Sequence, residues 1–121
     1  MTTSEIATVL AWHDALNERD FDTLLSLSSD DIEVGDAKGA SQGHDALLDW
    51  AQSSDFRAEP GRMYVHDGVV VVEEEVTSTA GATTAAAAFR VVRDHVTSVF
   101  RHPDLATALA ATELTEKDLV G

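Results

Sequence analysis

The sequence predicts an α+β domain: three main helices on the concave face of a curved, mostly antiparallel sheet, plus a short C-terminal helix. Three observations carry that reading. The 121 residues, 44% of them apolar, make one domain's worth of chain (1–121) with enough hydrocarbon for a core. Apart from one short strand, apolar residues recur at helical spacing as far as Ser53, then alternate from Arg57 onward. Asp67-Gly68 stands between Arg62–His66 and Val69–Val72, which is the signature of a two-residue hairpin turn.

The elements follow in order. Thr2 and Glu5 have capping-box spacing, and Ile6, Val9, Leu10, Trp12, His13 and Leu16 then line one side of a helix running to about Glu18. Asp20 starts a short helix that buries Phe21, Leu24 and Leu27, and Ser28-Ser29-Asp30-Asp31 breaks it. Ile32, Val34 and Asp36 alternate with polar or small residues as in a strand. Gly39 and Gly43 punctuate a loop before a helix over about His44–Ser53, with Leu47, Leu48, Trp50 and Ala51 on its apolar side.

The Asp67-Gly68 turn sets Val65 opposite Val70, Met63 opposite Val72 and Arg62 opposite Glu73. Met63, Val65, Val70, Val72, Glu74 and Val76 then face inward. A second hairpin, turning at Asp94-His95, puts Phe89 opposite Phe100 and Ala87 opposite His102. Pro103 suits the first turn of a closing helix, with Leu105, Ala106, Leu109 and Ala110 on one side. Residues 103–121 form a C-terminal helical extension. On the outer sheet face, Tyr64, Val69 and Val71 make an apolar patch that predicts a homodimer.

Composition excludes several function classes. There are 22 Asp+Glu against 8 Lys+Arg, a formal net charge of -14. Such a field repels phosphate backbones and anionic lipid, so neither nucleic acid nor a membrane surface is an expected partner. With no cysteine there is no disulfide, thiolate nucleophile or thiolate metal site. No apolar run is long enough to span a bilayer and no leader opens the chain, so a soluble, cytoplasmic protein is expected. The five histidines fall on separate elements without HxH, HxxxH or HExxH spacing, so no metal is expected. No phosphate-binding glycine loop and no GxSxG elbow appear, and no cofactor is expected.

Ala15-Leu16-Asn17-Glu18-Arg19-Asp20-Phe21-Asp22, followed by Leu24, Leu27 and Asp30-Asp31-Ile32-Glu33-Val34, resembles the opening of nuclear transport factor 2-like proteins. That is the SnoaL-like and ketosteroid-isomerase-like superfamily. Gly43-His44-Asp45-Ala46-Leu47 and the late stretch Phe89–Val99 extend the resemblance. It implies a cone-shaped barrel, usually homodimeric, around an apolar pocket that the C-terminal extension would cap. Aligned with ketosteroid isomerases, Asp36 falls at the general base. Their oxyanion-binding tyrosine and aspartate are replaced by Trp12 and Ala87.

Asp36 is the first candidate for chemistry, since strand parity with Ile32 and Val34 points it inward. A carboxylate against an apolar wall suits proton abstraction near neutral pH. Glu74, between inward Val72 and Val76, is the second. His102, inward if the second hairpin loop has two residues, is the third and would partner either carboxylate. Trp12, Leu16, Trp50, Met63, Ala87, Phe89 and Phe100 are expected to line the pocket, with Ala85–Ala88 leaving room in front of their strand. The expected partner is a small apolar molecule. Either Asp36 transfers protons on it, as in an isomerase, dehydratase or cyclase, or the pocket binds it without turnover. A structural homodimer with a closed interior is the third reading.

Overall fold

The computed structural model describes residues 2–36, 38–53, 56–79 and 81–120, with side chains from Glu5 onward. The Thr2 side chain of the expected capping box therefore lies outside the described residues. Helix α1 (Thr2–Glu18) buries Val9, Trp12, His13 and Leu16 along one stripe at the 3- and 4-residue spacing of a helix face. It ends where Arg19 takes φ 57, and Asp20 then caps α2 (Phe21–Ser26) by accepting from the Thr23 N–H. The Asn17 side chain bonds both peptide groups of Ala58, donating to its carbonyl at 2.8 Å and accepting from its N–H at 2.9 Å. This pins the end of α1 to the sheet. Helix α3 (His44–Ser53) buries Leu47 and Ala51.

The strands among the described residues are β1 (Ser28–Asp36), β2 (Gly39–Gln42), β3 (Arg57–His66), β4 (Val69–Ser78), β5 (Gly81–Val92), β6 (His95–His102) and β7 (Leu119–Val120). They form one curved open sheet in the order β2-β1-β6-β5-β4-β3-β7, antiparallel except for the β1–β6 pair. The breaker at Ser28–Asp31 is instead the start of β1, because Ser28 pairs with Val96 and buries its side chain. The glycine loop is strand β2, paired with the end of β1. Gly35 sits where backbones crowd: a Cβ there would stand 2.7 Å from the Gly39 carbonyl and 2.9 Å from the Phe100 ring.

The first hairpin has the expected register from its turn to Met63, Val65 opposite Val70 and Met63 opposite Val72, and then shifts, with Pro60 opposite Glu74. Asp67 and Gly68 both take positive φ, as a type I′ turn needs. Arg62 forms a two-pronged bond to Glu73, which raises the Arg62 pKa.

The second hairpin departs from expectation. Its turn is Arg93-Asp94, with φ 51 and 65 and no glycine, and Val92 pairs with His95. Thr97 is then extra: Val91 opposes Val96 but Arg90 opposes Ser98, a β-bulge. Phe89 therefore faces Val99 rather than Phe100, and Ala87 faces Arg101 rather than His102. Every side chain from Ser98 to His102 is on the face opposite to the one expected.

The concave face and α1–α3 enclose the main core, which includes Trp12, Leu16, Met63, Ala87 and Phe89. Helix α4 (Leu105–Thr112) starts two residues beyond Pro103, capped by Asp104. It lies on the convex face, where Ala108, Leu114, Leu105 and Leu109 cover Tyr64, Val71, Ala86 and Ala88. Two expectations change with it. The extension covers the back of the sheet instead of a pocket mouth, and the patch read as a dimer surface is filled from within, with Tyr64 and Val71 buried.

Candidate functional site

One helix and two strands bring polar groups together inside the concave face. His13, on the buried stripe of α1, places Nδ1 2.8 Å from the Val9 carbonyl and Nε2 2.5 Å from Glu74 Oε2. A carbonyl can only accept, so Nδ1 carries a hydrogen and Nε2 is the edge that exchanges a proton with Glu74. His13 and Glu74 are 0% and 1% exposed.

Glu74 Oε1 lies 3.2 Å from Arg101 Nη2. The contact is off the N–H axis, so among the described residues Oε1 has an ion-pair partner and no hydrogen bond. The Arg101 guanidinium also stacks on Phe56, 4.7 Å from the ring centroid. Phe56 packs on Trp50 at 5.9 Å, Trp50 on Trp12 at 6.1 Å, and Trp12 on Phe89 at 5.2 Å. Arg101 thus joins Glu74 to the aromatic run Phe56–Trp50–Trp12.

The alanine run explains how Glu74 and Arg101 meet. They lie on β4 and β6, with β5 between them. Their β5 partners are Ala85 and Ala87, so two long side chains reach across a strand whose own side chains are short. The room expected in front of Ala85–Ala88 is taken up by these two side chains, and α4 fills the space behind.

Two clefts open at this end of the sheet. One of about 180 Å³ is lined by Val34, Gly35, Asp36, Ala46, Trp50 and Arg101 among others. The other, about 520 Å³, is lined by Leu16, Asn17, Phe56, Arg57 and Thr77 among others. A third, of about 630 Å³, lies over Ala88, Ser98 and Phe100 and also reaches Asp36 and Arg101, while His13 and Glu74 do not line it.

The expected site residues are distributed as follows. Glu74 is inward and buried. Asp36 is exposed at the end of β1, its Oδ1 accepting from the Lys38 N–H, so it rims the smaller cleft rather than facing an apolar wall. His102 pairs with Ala86 and lines the third cleft, because the Thr97 bulge reverses its face. Phe100 moves to that face for the same reason. Trp12, Leu16, Trp50, Met63, Ala87 and Phe89 surround the concave core, with Trp50 reaching the cleft. The Trp12 N–H at the oxyanion position is committed to Ser28 Oγ at 3.1 Å, and Ser28 Oγ donates to the Leu24 carbonyl. Sequence parity missed Arg101. The signal for it would be a turn one residue earlier combined with a bulge.

Residues 9–105 match the SnoaL-like domain family. The chain belongs to that family. No curated protein matches it. Among solved structures, this SnoaL-like chain is similar to a nuclear transport factor 2-like protein of unknown function from Cytophaga hutchinsonii, with TM-score 0.75, 14% identity, and 85% and 92% of the two chains covered. It is similar to a provisionally named polyketide cyclase from Sinorhizobium meliloti, with TM-score 0.73, 22% identity, and coverage of 79% and 94%. A provisionally named ketosteroid isomerase from Kribbella flavida gives TM-score 0.76, 17% identity, and coverage of 82% and 76%. At these identities the likeness establishes the fold alone. Among the described residues, no helix of the SnoaL-like chain is long and apolar enough to cross a membrane.

Proposed function

We propose that this SnoaL-like protein is a small-molecule enzyme that moves a proton to and from a carbon next to a carbonyl group. The observation that carries the reading is the Glu74 carboxylate, 1% exposed, with one oxygen held by His13 and the other, among the described residues, free of hydrogen bonds beside Arg101. Those are three roles in one cluster: an acceptor for the proton, a group that orients it, and a cation for the oxygen that gains charge. Glu74 Oε1 takes the proton from carbon while His13 holds Oε2. Arg101 stabilises the enolate oxygen, and returning the proton at a second carbon completes an isomerisation. Asp36, exposed and bonded to the Lys38 N–H, is assigned no step.

The test is deuterium uptake at the carbon next to the carbonyl in a panel of single-ring ketones, followed by NMR. Wild type and Asp36→Asn accelerate uptake, His13→Gln is slower, and Glu74→Gln falls to the buffer rate. A second reading, a binding module without turnover, draws on the near-complete burial of His13 and Glu74. Wild-type protein that binds a panel member but leaves its exchange at the buffer rate would establish that reading.

A further inference from the structure

We infer that the cleft between Trp50 and Arg101 takes a small single-ring aromatic carboxylate, the carboxylate sitting on Arg101. This rests on the reading that the concave interior is a ligand site: the carboxylate takes the place on Arg101 that the reading gives to the enolate oxygen, so the bound anion competes with a carbonyl substrate. The first ground is that His13 and Arg101 share one carboxylate. His13 Nδ1 carries a hydrogen because it faces the Val9 carbonyl. Without a second proton, the Nε2 lone pair would face a carboxylate lone pair at 2.5 Å, a repulsive contact. A hydrogen therefore lies between them, so one Glu74 oxygen is taken by His13 and the other faces Arg101. Arg101, 19% exposed, has Glu74 as its ion-pair partner and shares that carboxylate with His13.

The second ground is unused donors. Among the described residues Arg101 makes the off-axis contact to Glu74 and the stack on Phe56, and no aligned hydrogen bond. A guanidinium has five N–H groups in a planar fork that matches a carboxylate. Asp36 rims the same cleft, but its Oδ1 is engaged by the Lys38 N–H and no ion pair joins it to Arg101.

The third ground is size. At about 180 Å³ the cleft is below the range of drug-sized pockets, roughly 300–1,000 Å³. It accommodates one ring, which the Trp50 indole can cover.

The experiment titrates the full chain with benzoate and with its neutral analogue benzamide, by isothermal calorimetry and by the NMR signals of the indole N–H groups. The expected result is saturable 1:1 binding of benzoate that shifts Trp50, with benzamide weaker by about tenfold or more. Arg101→Gln removes the preference between the two. Arg101→Lys, a milder change that keeps the charge, retains the preference with weaker binding. Circular dichroism verifies that each variant is folded. Benzamide binding as tightly as benzoate in wild type would overturn the inference and leave the ligand-site reading intact. Failure of both at millimolar concentration would overturn both. Benzoate binding that shifts no indole, or is unchanged in folded Arg101→Gln, would place the anion elsewhere and also overturn it.

Discussion

Glu74 and Arg101 stand on strands that do not touch, and they meet above the methyl groups of the strand between them. The partners of the two residues on that strand are Ala85 and Ala87. A larger side chain at either position would occupy the space the guanidinium crosses.

Ala87→Leu is therefore expected to separate Arg101 from Glu74 and to overpack a fully buried position. The cost is about 1–3 kcal/mol, measured by urea denaturation.

The His13–Glu74 pair gives a double-mutant cycle. Glu74→Leu alone or His13→Leu alone leaves a buried polar group without its partner and costs about 3–5 kcal/mol. The double variant, with both groups replaced by hydrocarbon, costs less than the sum. Additive effects would show that the two side chains do not interact.

Tyr64 is fully buried under α4, and its hydroxyl has no hydrogen-bond partner among the described residues. Tyr64→Phe removes the unpaired group and keeps the ring. It should raise stability by about 1 kcal/mol, seen as a higher urea midpoint at unchanged slope.

Helix α4 supplies a pH dependence. The Thr107 backbone N–H, bonded to Asp104, holds that carboxyl below its ordinary value of 3.8. A group whose pKa is lower folded than unfolded contributes stability that is complete above the unfolded value and lost as pH falls through the folded one. The stability difference between wild type and Asp104→Ala should be constant near neutrality and shrink below about pH 3.8. A difference that grows on acidification would contradict the cap.

Much of this was legible in the residues because it depends on local rules. Asp67-Gly68 fixed its own register, and the helical spacing of Val9, Trp12, His13 and Leu16 placed α1 against the core. Glu74 was readable as inward because a glycine turn counts residues without ambiguity. The second hairpin was not readable in the same way. Arg93-Asp94 adopts positive φ without a glycine to mark it, and no side-chain pattern announces the Thr97 bulge. A one-residue slip exchanged His102 for Arg101, and with it an imidazole for a guanidinium. Asp36 differs for another reason: it ends its strand, and its Oδ1 accepts from the backbone N–H of Lys38 two residues on. The back of the sheet was read as bare because α4 reaches it only through tertiary packing.

The parallel contact between β1 and β6 joins residues near Ser28 to residues near Val96. Nearly all the rest of the chain must be made before β1 acquires that neighbour. On a ribosome, α1, α2 and β1 emerge early and wait with one strand edge open until the last hairpin arrives. Contacts this distant in sequence are slow to form, since the intervening loop must close before any bond rewards it. The interval is one in which aggregation competes with folding. The acidic residues of β1, Asp30, Asp31 and Glu33, are exposed along the waiting strand and discourage pairing with another copy of it.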